Sequence, residues 1–94
     1  MININHEVKP HHEIVYTEVG SDGAVLLHLG TKKYFSLNES GVFIWKMMSR
    51  GHSLEKISIK LQEEYDITSG KASESVIALM DELAKEKIIE VVDE

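Results

Sequence analysis

The side chains best suited to bind a metal ion in this sequence are its five histidines, two of which, His11 and His12, directly precede Glu13. Imidazole nitrogens and carboxylate oxygens are common zinc ligands. However, neighbouring residues of an extended chain point to opposite sides, and no two histidines have the four-residue spacing that places them on one helical face. We therefore predict a solvated N-terminal segment, no metal site and no cofactor. His28, inside an apolar stretch, is expected to be a core or edge residue whose hydrogen bonds are satisfied.

The hydroxyl and carboxyl groups do not form a recognisable catalytic arrangement. Ser36 and Ser40 have no base at a spacing that would activate them, and the chain has no cysteine. Acidic pairs at 63–64 and 81–82 fall on helix surfaces, where carboxylates are usually solvated. The sequence therefore predicts no catalytic residues and a protein that is not an enzyme.

Length and composition restrict the class of protein further. A chain of 94 residues with 43% hydrophobic and 28% charged residues is typical of one small globular domain. The net charge is −6 and Arg50 is the only arginine, which disfavours nucleic acid as a partner because phosphate contacts supply most of that affinity. No signal peptide is recognised, and no apolar stretch approaches the ~20 residues of a membrane span. We expect a cytoplasmic protein that has no membrane partner.

Three strands are predicted in the first half of the chain, at 14–19, 24–29 and 32–37. They are rich in β-branched and aromatic residues and are separated by the turn signals Gly20 to Gly23 and Gly30-Thr31. Such short connections favour an antiparallel meander in sequence order. Residues 1–12 are polar and are expected to form a flexible arm, which leaves residues 13–94 as a single domain.

Three helices are predicted in the second half. The first, capped by Asn38, is apolar on nearly every side and holds the only tryptophan, so it should lie at the centre of the core. The second begins after Ser53 and runs to about residue 65, and the third covers about 72–87, before a short closing strand at 88–92. The expected core consists of Leu37, Ile44, Trp45, Met48, Ile57, Leu61 and Leu83.

Two features of this arrangement favour binding of an extended peptide. The third strand is an edge of the meander and offers unpaired backbone groups to another chain. The third helix is apolar over more than the usual third of its surface, so its exposed flank and the strand edge together would form a groove. Lys32 and Lys33 either prevent self-pairing of this edge or attract an acidic partner; the sequence supports both explanations equally.

Several short segments occur in the order and spacing of a known family. They are the Val25 to Leu27 triplet, Tyr-Phe-Ser-Leu-Asn-Glu-Ser-Gly at 34–41 followed by Ile44-Trp45, Arg50-Gly51, the helix start at 53–57, Glu-Tyr-Asp at 64–66, and the run at 83–89. In this order they resemble the family of pyrroloquinoline quinone synthesis protein D, PqqD, and its stand-alone relatives, the RiPP recognition elements or peptide-modification chaperones. The resemblance covers about residues 14–92. It implies a small α+β domain, similar to a winged helix-turn-helix, with a three-stranded antiparallel sheet followed by three helices.

The resemblance also implies a function and a site. Members of this family bind the leader of a ribosomally made precursor peptide without catalysis. They present it to a modifying enzyme, such as a radical S-adenosylmethionine enzyme, a peptidase or a cyclase, in peptide natural-product or cofactor (PQQ-like) biosynthesis. Carried over by position, the peptide-binding residues are Lys33, Tyr34, Phe35, Ser36 and Leu37 on the third strand, and Val76, Leu79, Met80 and Leu83 on the third helix. The alternative is a winged-helix transcription regulator that binds DNA, against which stand the acidic charge and the lack of a basic helix.

Overall fold

The computed structural model describes residues 2–92 of the chain. Within them the elements are β1 (Glu7–Pro10), β2 (Ile14–Val19), β3 (Gly23–His28), β4 (Lys33–Leu37), α1 (Glu39–Ser49), α2 (Leu54–Tyr65), α3 (Ser69–Lys85) and β5 (Ile89–Val92). The α+β class, the three helices and the antiparallel pairing are as predicted. The predicted order of three strands followed by three helices is wrong, because β1 and β5 form a second sheet of their own. No helix between residues 2 and 92 is long and apolar enough to cross a membrane.

The three-stranded sheet has the order β2-β3-β4, so the meander predicted from the short turns is confirmed. Tyr16 and Phe35 both lie opposite Leu26, one on each side of the central strand β3. Along β3 the side chains alternate, with Leu26 buried against the helices and Val25 partly exposed on the outer face. Since β3 is the central strand, β2 and β4 form the two edges of the sheet.

The two-stranded sheet joins the two ends of the chain. Val8 of β1 lies opposite Val91 of β5, and the His11 N–H donates to the Ile88 carbonyl at 2.8 Å. Ahead of β1, Ile2 is buried, and its N–H donates to Asp81 of α3 at 2.8 Å. Residues 2–10 thus pack on the domain where the sequence predicts a flexible arm. The sequence does not predict this strand, because the segment is mostly polar and contains a proline. Its partner strand also lies at the far end of the chain.

Local capping explains where the helices begin and end. The Asn38 side chain accepts from the Gly41 N–H at 2.9 Å and the Ser53 side chain from the Lys56 N–H at 3.1 Å, which confirms both predicted caps. The helix α3 begins three residues before the predicted position, because Thr68 supplies the cap by accepting from the Lys71 N–H. Asn38 thus marks the corner at which β4 becomes α1.

The core lies between the inner face of the β2-β3-β4 sheet and the three helices. Every residue of the predicted core is buried, and Trp45 at the centre of α1 is 5% exposed. The helix α1 packs on both α2 and the sheet, which is why it is apolar on nearly every side. The core therefore fixes the position of α1 and α3 relative to the edge strand β4.

Candidate functional site: the groove between β4 and α3

A groove lies where β4, the first turns of α1 and the middle of α3 meet. Its cavity has a volume of about 550 Å³. The lining residues are Phe35, Ser36, Leu37, Asn38, Ser40, Gly41, Ile44, Ser75, Ala78, Leu79 and Glu82. Apolar and polar residues line it in nearly equal number, and the polar groups are hydroxyl, amide and carboxyl groups. We call this cavity the β4–α3 groove.

The groove is shaped by the close approach of Gly41 to the end of β4. A methyl group at Gly41 would lie 3.2 Å from Cδ2 of Leu37 and 3.3 Å from Oδ1 of Asn38. The chain therefore turns from strand to helix with almost no free space behind Gly41. A larger residue there would displace Leu37 or project toward the groove.

The strand side of the groove is an open backbone edge. Within residues 2–92, β4 pairs with β3 only, so its second edge has no strand partner there. Tyr34 is 71% exposed, Phe35 is partly buried and Leu37 is buried, in keeping with the alternation of a strand that has one inner face. An extended peptide can form main-chain hydrogen bonds with such an edge.

The helix side differs from the stripe expected from the sequence. Leu79 lines the groove, whereas Val76, Met80 and Leu83 are fully buried in the core. The wall beside Leu79 is made instead by Ser75, Ala78 and Glu82. These three recur at three- and four-residue spacing and so share a helical face, but none is a large apolar residue, so the apolar pattern did not reveal them.

Charged side chains surround the end of the groove near Phe35. Glu82, Lys85 and Glu86 line a smaller depression beside this ring, and Lys33 is exposed at the start of β4. This end therefore carries charges of both signs. It differs from the cavity itself, where Glu82 is the only ionisable lining residue among those described.

A separate ionic contact joins the sheet to α1. The Lys46 ammonium lies 2.8 Å from the Glu18 carboxylate, which also accepts a hydrogen bond from the Tyr16 hydroxyl. Bonding to Lys46 and Tyr16 lowers the pKa of Glu18, and bonding to Glu18 raises the pKa of Lys46. Burial and the Glu18 bond raise the pKa of Tyr16. None of these three side chains lines the groove, and their contact joins β2 to α1 at the protein surface.

His28 is a buried core residue with satisfied hydrogen bonds, as predicted. It is 4% exposed, and its Nδ1 accepts from the N–H groups of Gly30 and Thr31 at 3.0 and 3.2 Å. These bonds shape the turn that leads into β4. His28 therefore supports the strand edge without lining the groove.

The family of the chain follows from a sequence model. The model of coenzyme PQQ synthesis protein D (PqqD) matches residues 23–89, and the chain therefore belongs to the PqqD family. No curated protein sequence matches it significantly.

Two solved structures are similar to the chain over nearly their whole length. One is TbiB1 in complex with the TbiA(beta) leader peptide, with a TM-score of 0.84 and 27% identity, covering 92% of this chain and 99% of that one. The other is lasso peptide synthetase B1 complexed with its leader peptide, with a TM-score of 0.79 and 26% identity over 93% and 99% of the two chains. These comparisons give no support to the DNA-binding alternative.

Proposed function

We propose that this protein binds the leader segment of a ribosomally made precursor peptide in the β4–α3 groove. The observation that carries the proposal is the open edge of β4 beside a cavity whose far wall is α3. Likeness to two proteins solved with leader peptides supports the same ligand class. The leader adds to β4 as a fourth strand of the sheet.

The two sides of the groove contribute different parts of the interaction. Main-chain hydrogen bonds to residues 33–37 give register and affinity, and pockets between Phe35 and Leu79 select the side chains of the leader. Val76, Met80 and Leu83 act indirectly, because as buried residues they hold α3 at the correct distance from β4. Alternate leader side chains therefore enter the groove, and those between them face solvent or a partner.

The role of the bound state is presentation, without catalysis by this chain. Binding of the leader leaves the core segment of the precursor outside the groove, where a partner enzyme modifies it. Radical S-adenosylmethionine enzymes, peptidases and cyclases are the partner classes that the family implies, in peptide natural-product or cofactor biosynthesis. The binding unit includes β1 as well as the domain at 13–94, because β1 pairs with β5.

The proposal is tested by mapping backbone amide shifts in NMR spectra. The probe is a synthetic peptide with the leader sequence of the cognate precursor, and a scrambled peptide of the same composition is the control. We expect the largest shifts at 33–37 and at 75–82, from the leader only. Saturable binding with shifts on β2 or α2 and none at 33–37 would exclude this groove.

A further inference from the structure

A second group of side chains, outside the β4–α3 groove, lies at the turn between β1 and β2. His11, His12 and Glu13 each bring one possible ligand atom within 4.8 Å of the others. The sequence predicts that these neighbours point apart, as in an extended chain. Instead the Ile14 N–H donates to the His11 carbonyl at 3.2 Å, which closes a turn and brings the three side chains together.

The backbone of this turn is fixed from both sides. The His11 N–H bonds to the Ile88 carbonyl at 2.8 Å, and the Glu13 carbonyl accepts from the Leu29 N–H at 3.0 Å. The turn is therefore attached to the two-stranded sheet through one residue and to the β3–β4 turn through another. Ligands on such a backbone lose less freedom on binding a metal than ligands on a free terminus.

The side chains are packed as well. The ring of His11 stacks on that of His12 with centroids 4.4 Å apart, and its centroid lies 4.6 Å from that of the buried His28. A methyl group at Gly30 would lie only 2.8 Å from Oε1 of Glu13, so the carboxylate occupies space that a glycine leaves open. His28 itself is not a ligand through Nδ1, which already accepts two backbone N–H groups.

We propose that His11, His12 and Glu13 form a Zn²⁺ site with its fourth position open to water. Two imidazoles and one carboxylate are a recognised zinc ligand set, and imidazole selects zinc over Mg²⁺ or Ca²⁺. Tetrahedral zinc with bonds of 2.0–2.1 Å holds its ligand atoms about 3.3 Å apart. The widest pair, at up to 4.8 Å, therefore closes by about 1.5 Å when zinc binds, through side-chain rotation.

Zinc competes with one hydrogen bond of the metal-free protein. Nδ1 of His11 accepts from the Glu13 N–H at 3.0 Å, and zinc takes this lone pair when it binds there. The lost bond lowers the affinity, so the site is weaker than a closed four-ligand zinc site. All three ligands lie on the one turn between β1 and β2, so the bound metal stiffens this turn.

The test uses the 94-residue chain without an affinity tag. Calorimetric titration with ZnCl₂ should show one saturable site, and MgCl₂ should show none. His12→Ala and Glu13→Gln should each weaken zinc binding at least tenfold, whereas His52→Ala, which also removes one imidazole, should leave it within twofold. His12 is exposed, so its replacement is compatible with folding.

Thermal unfolding gives a second measurement. At a zinc concentration tenfold above the wild-type dissociation constant, the unfolding midpoint should rise by about 7 °C in the wild type and in His52→Ala, and by about 2 °C or less in His12→Ala. The proposal is overturned if zinc gives no saturable heat, or if either ligand variant loses less than tenfold in affinity. It is also overturned if zinc raises the midpoint of His12→Ala as much as that of the wild type.

Discussion

Leu79 and Met80 are consecutive residues of α3, yet Leu79 lines the β4–α3 groove beside Phe35 whereas Met80 is fully buried in the core. Successive residues of a helix point about 100° apart, so one turn of α3 serves two environments. The face with Leu79 meets the groove, and the face with Met80 is buried in the core. Binding and stability can therefore be separated by two neighbouring substitutions.

We expect Leu79→Ala to weaken leader binding about tenfold while the free energy of unfolding falls by less than about 1.5 kcal/mol, because the side chain is only partly buried in the free protein. Met80→Ala should instead cost about 2–5 kcal/mol of stability by leaving a cavity in the core. Fluorescence anisotropy with a labelled leader and urea unfolding measure the two quantities. Equal loss of stability in both variants would contradict the assignment of Leu79 to the groove.

The same pair shows what the sequence of α3 can and cannot predict. Apolar residues at Val76, Leu79, Met80 and Leu83 predict a helix with an unusually wide apolar surface, and α3 has one. The periodicity cannot divide this surface between core and groove, because the division depends on where the sheet packs. Ser75, Ala78 and Glu82 were missed for the same reason, since only the position of β4 makes their face a wall.

The backbone N–H groups of β4 point alternately to its two edges, one toward β3 and the next toward the open side. Of Phe35→Pro and Ser36→Pro, one removes a donor that faces the leader, and the other removes a bond to β3. We expect the first to abolish leader binding with the fold retained, and the second to destabilise the sheet. Circular dichroism and anisotropy distinguish them; Phe35→Ala controls for the lost ring. Two folded proline variants that bind normally would exclude pairing at β4.

The lysine at the start of β4 tests whether charge assists binding. If the leader is acidic, Lys33→Glu should slow association at low salt and have little effect near 1 M salt, where the screening length is about 3 Å. Lys56→Glu makes the same charge change on α2, outside the groove, and should have a much smaller effect. Stopped-flow association rates across a salt series measure both. If both variants slow association equally, the effect comes from the net charge of the protein and not from the position of Lys33.

The N-terminal segment was the least predictable part of the fold. Residues 14–19 and 33–37 have the β-branched and aromatic pattern of strands and were predicted at these bounds or within one residue of them. The strand β1 has no such pattern, since it contains a charged residue at every second position and ends in Pro10. Its stability comes from pairing with β5 and from burial of Ile2, and local sequence encodes neither.

The burial of Ile2 allows a direct test of whether residues 2–10 pack on the domain in solution. Ile2 is 4% exposed and Ile59 of α2 is 47% exposed. We expect Ile2→Ala to lower the free energy of unfolding by about 2–4 kcal/mol and Ile59→Ala by less than about 1 kcal/mol. Urea unfolding of both variants measures the difference. An Ile2→Ala protein as stable as the Ile59→Ala control would mean that residues 2–10 behave in solution as a free arm.

The end of α3 is held by a turn that uses a lysine where glycine is preferred. The Ile88 N–H donates to the Leu83 carbonyl at 2.8 Å and the Lys87 N–H to the Ala84 carbonyl at 3.1 Å, the two bonds of a Schellman motif. At the corresponding position after α1 stands Gly51, with φ of +89°, whereas Lys87 has φ of +61°. A residue with a side chain is less stable by about 1–2 kcal/mol at positive φ, and glycine avoids this strain. Part of that gain is lost, because glycine has more conformational freedom in the unfolded chain.

Lys87→Gly should therefore raise the free energy of unfolding by about 0.5–1 kcal/mol, which is a rise of roughly 4 °C in the midpoint for a domain of this size. Lys85→Gly removes the same charge two residues earlier, at the last residue of α3, and should lower stability by up to about 1 kcal/mol. Differential scanning calorimetry of both proteins measures these opposite signs. Because Lys87 lines neither the β4–α3 groove nor the depression beside Phe35, leader affinity should stay within about twofold in Lys87→Gly. If Lys87→Gly is destabilising like Lys85→Gly, the helix does not end in the left-handed turn described.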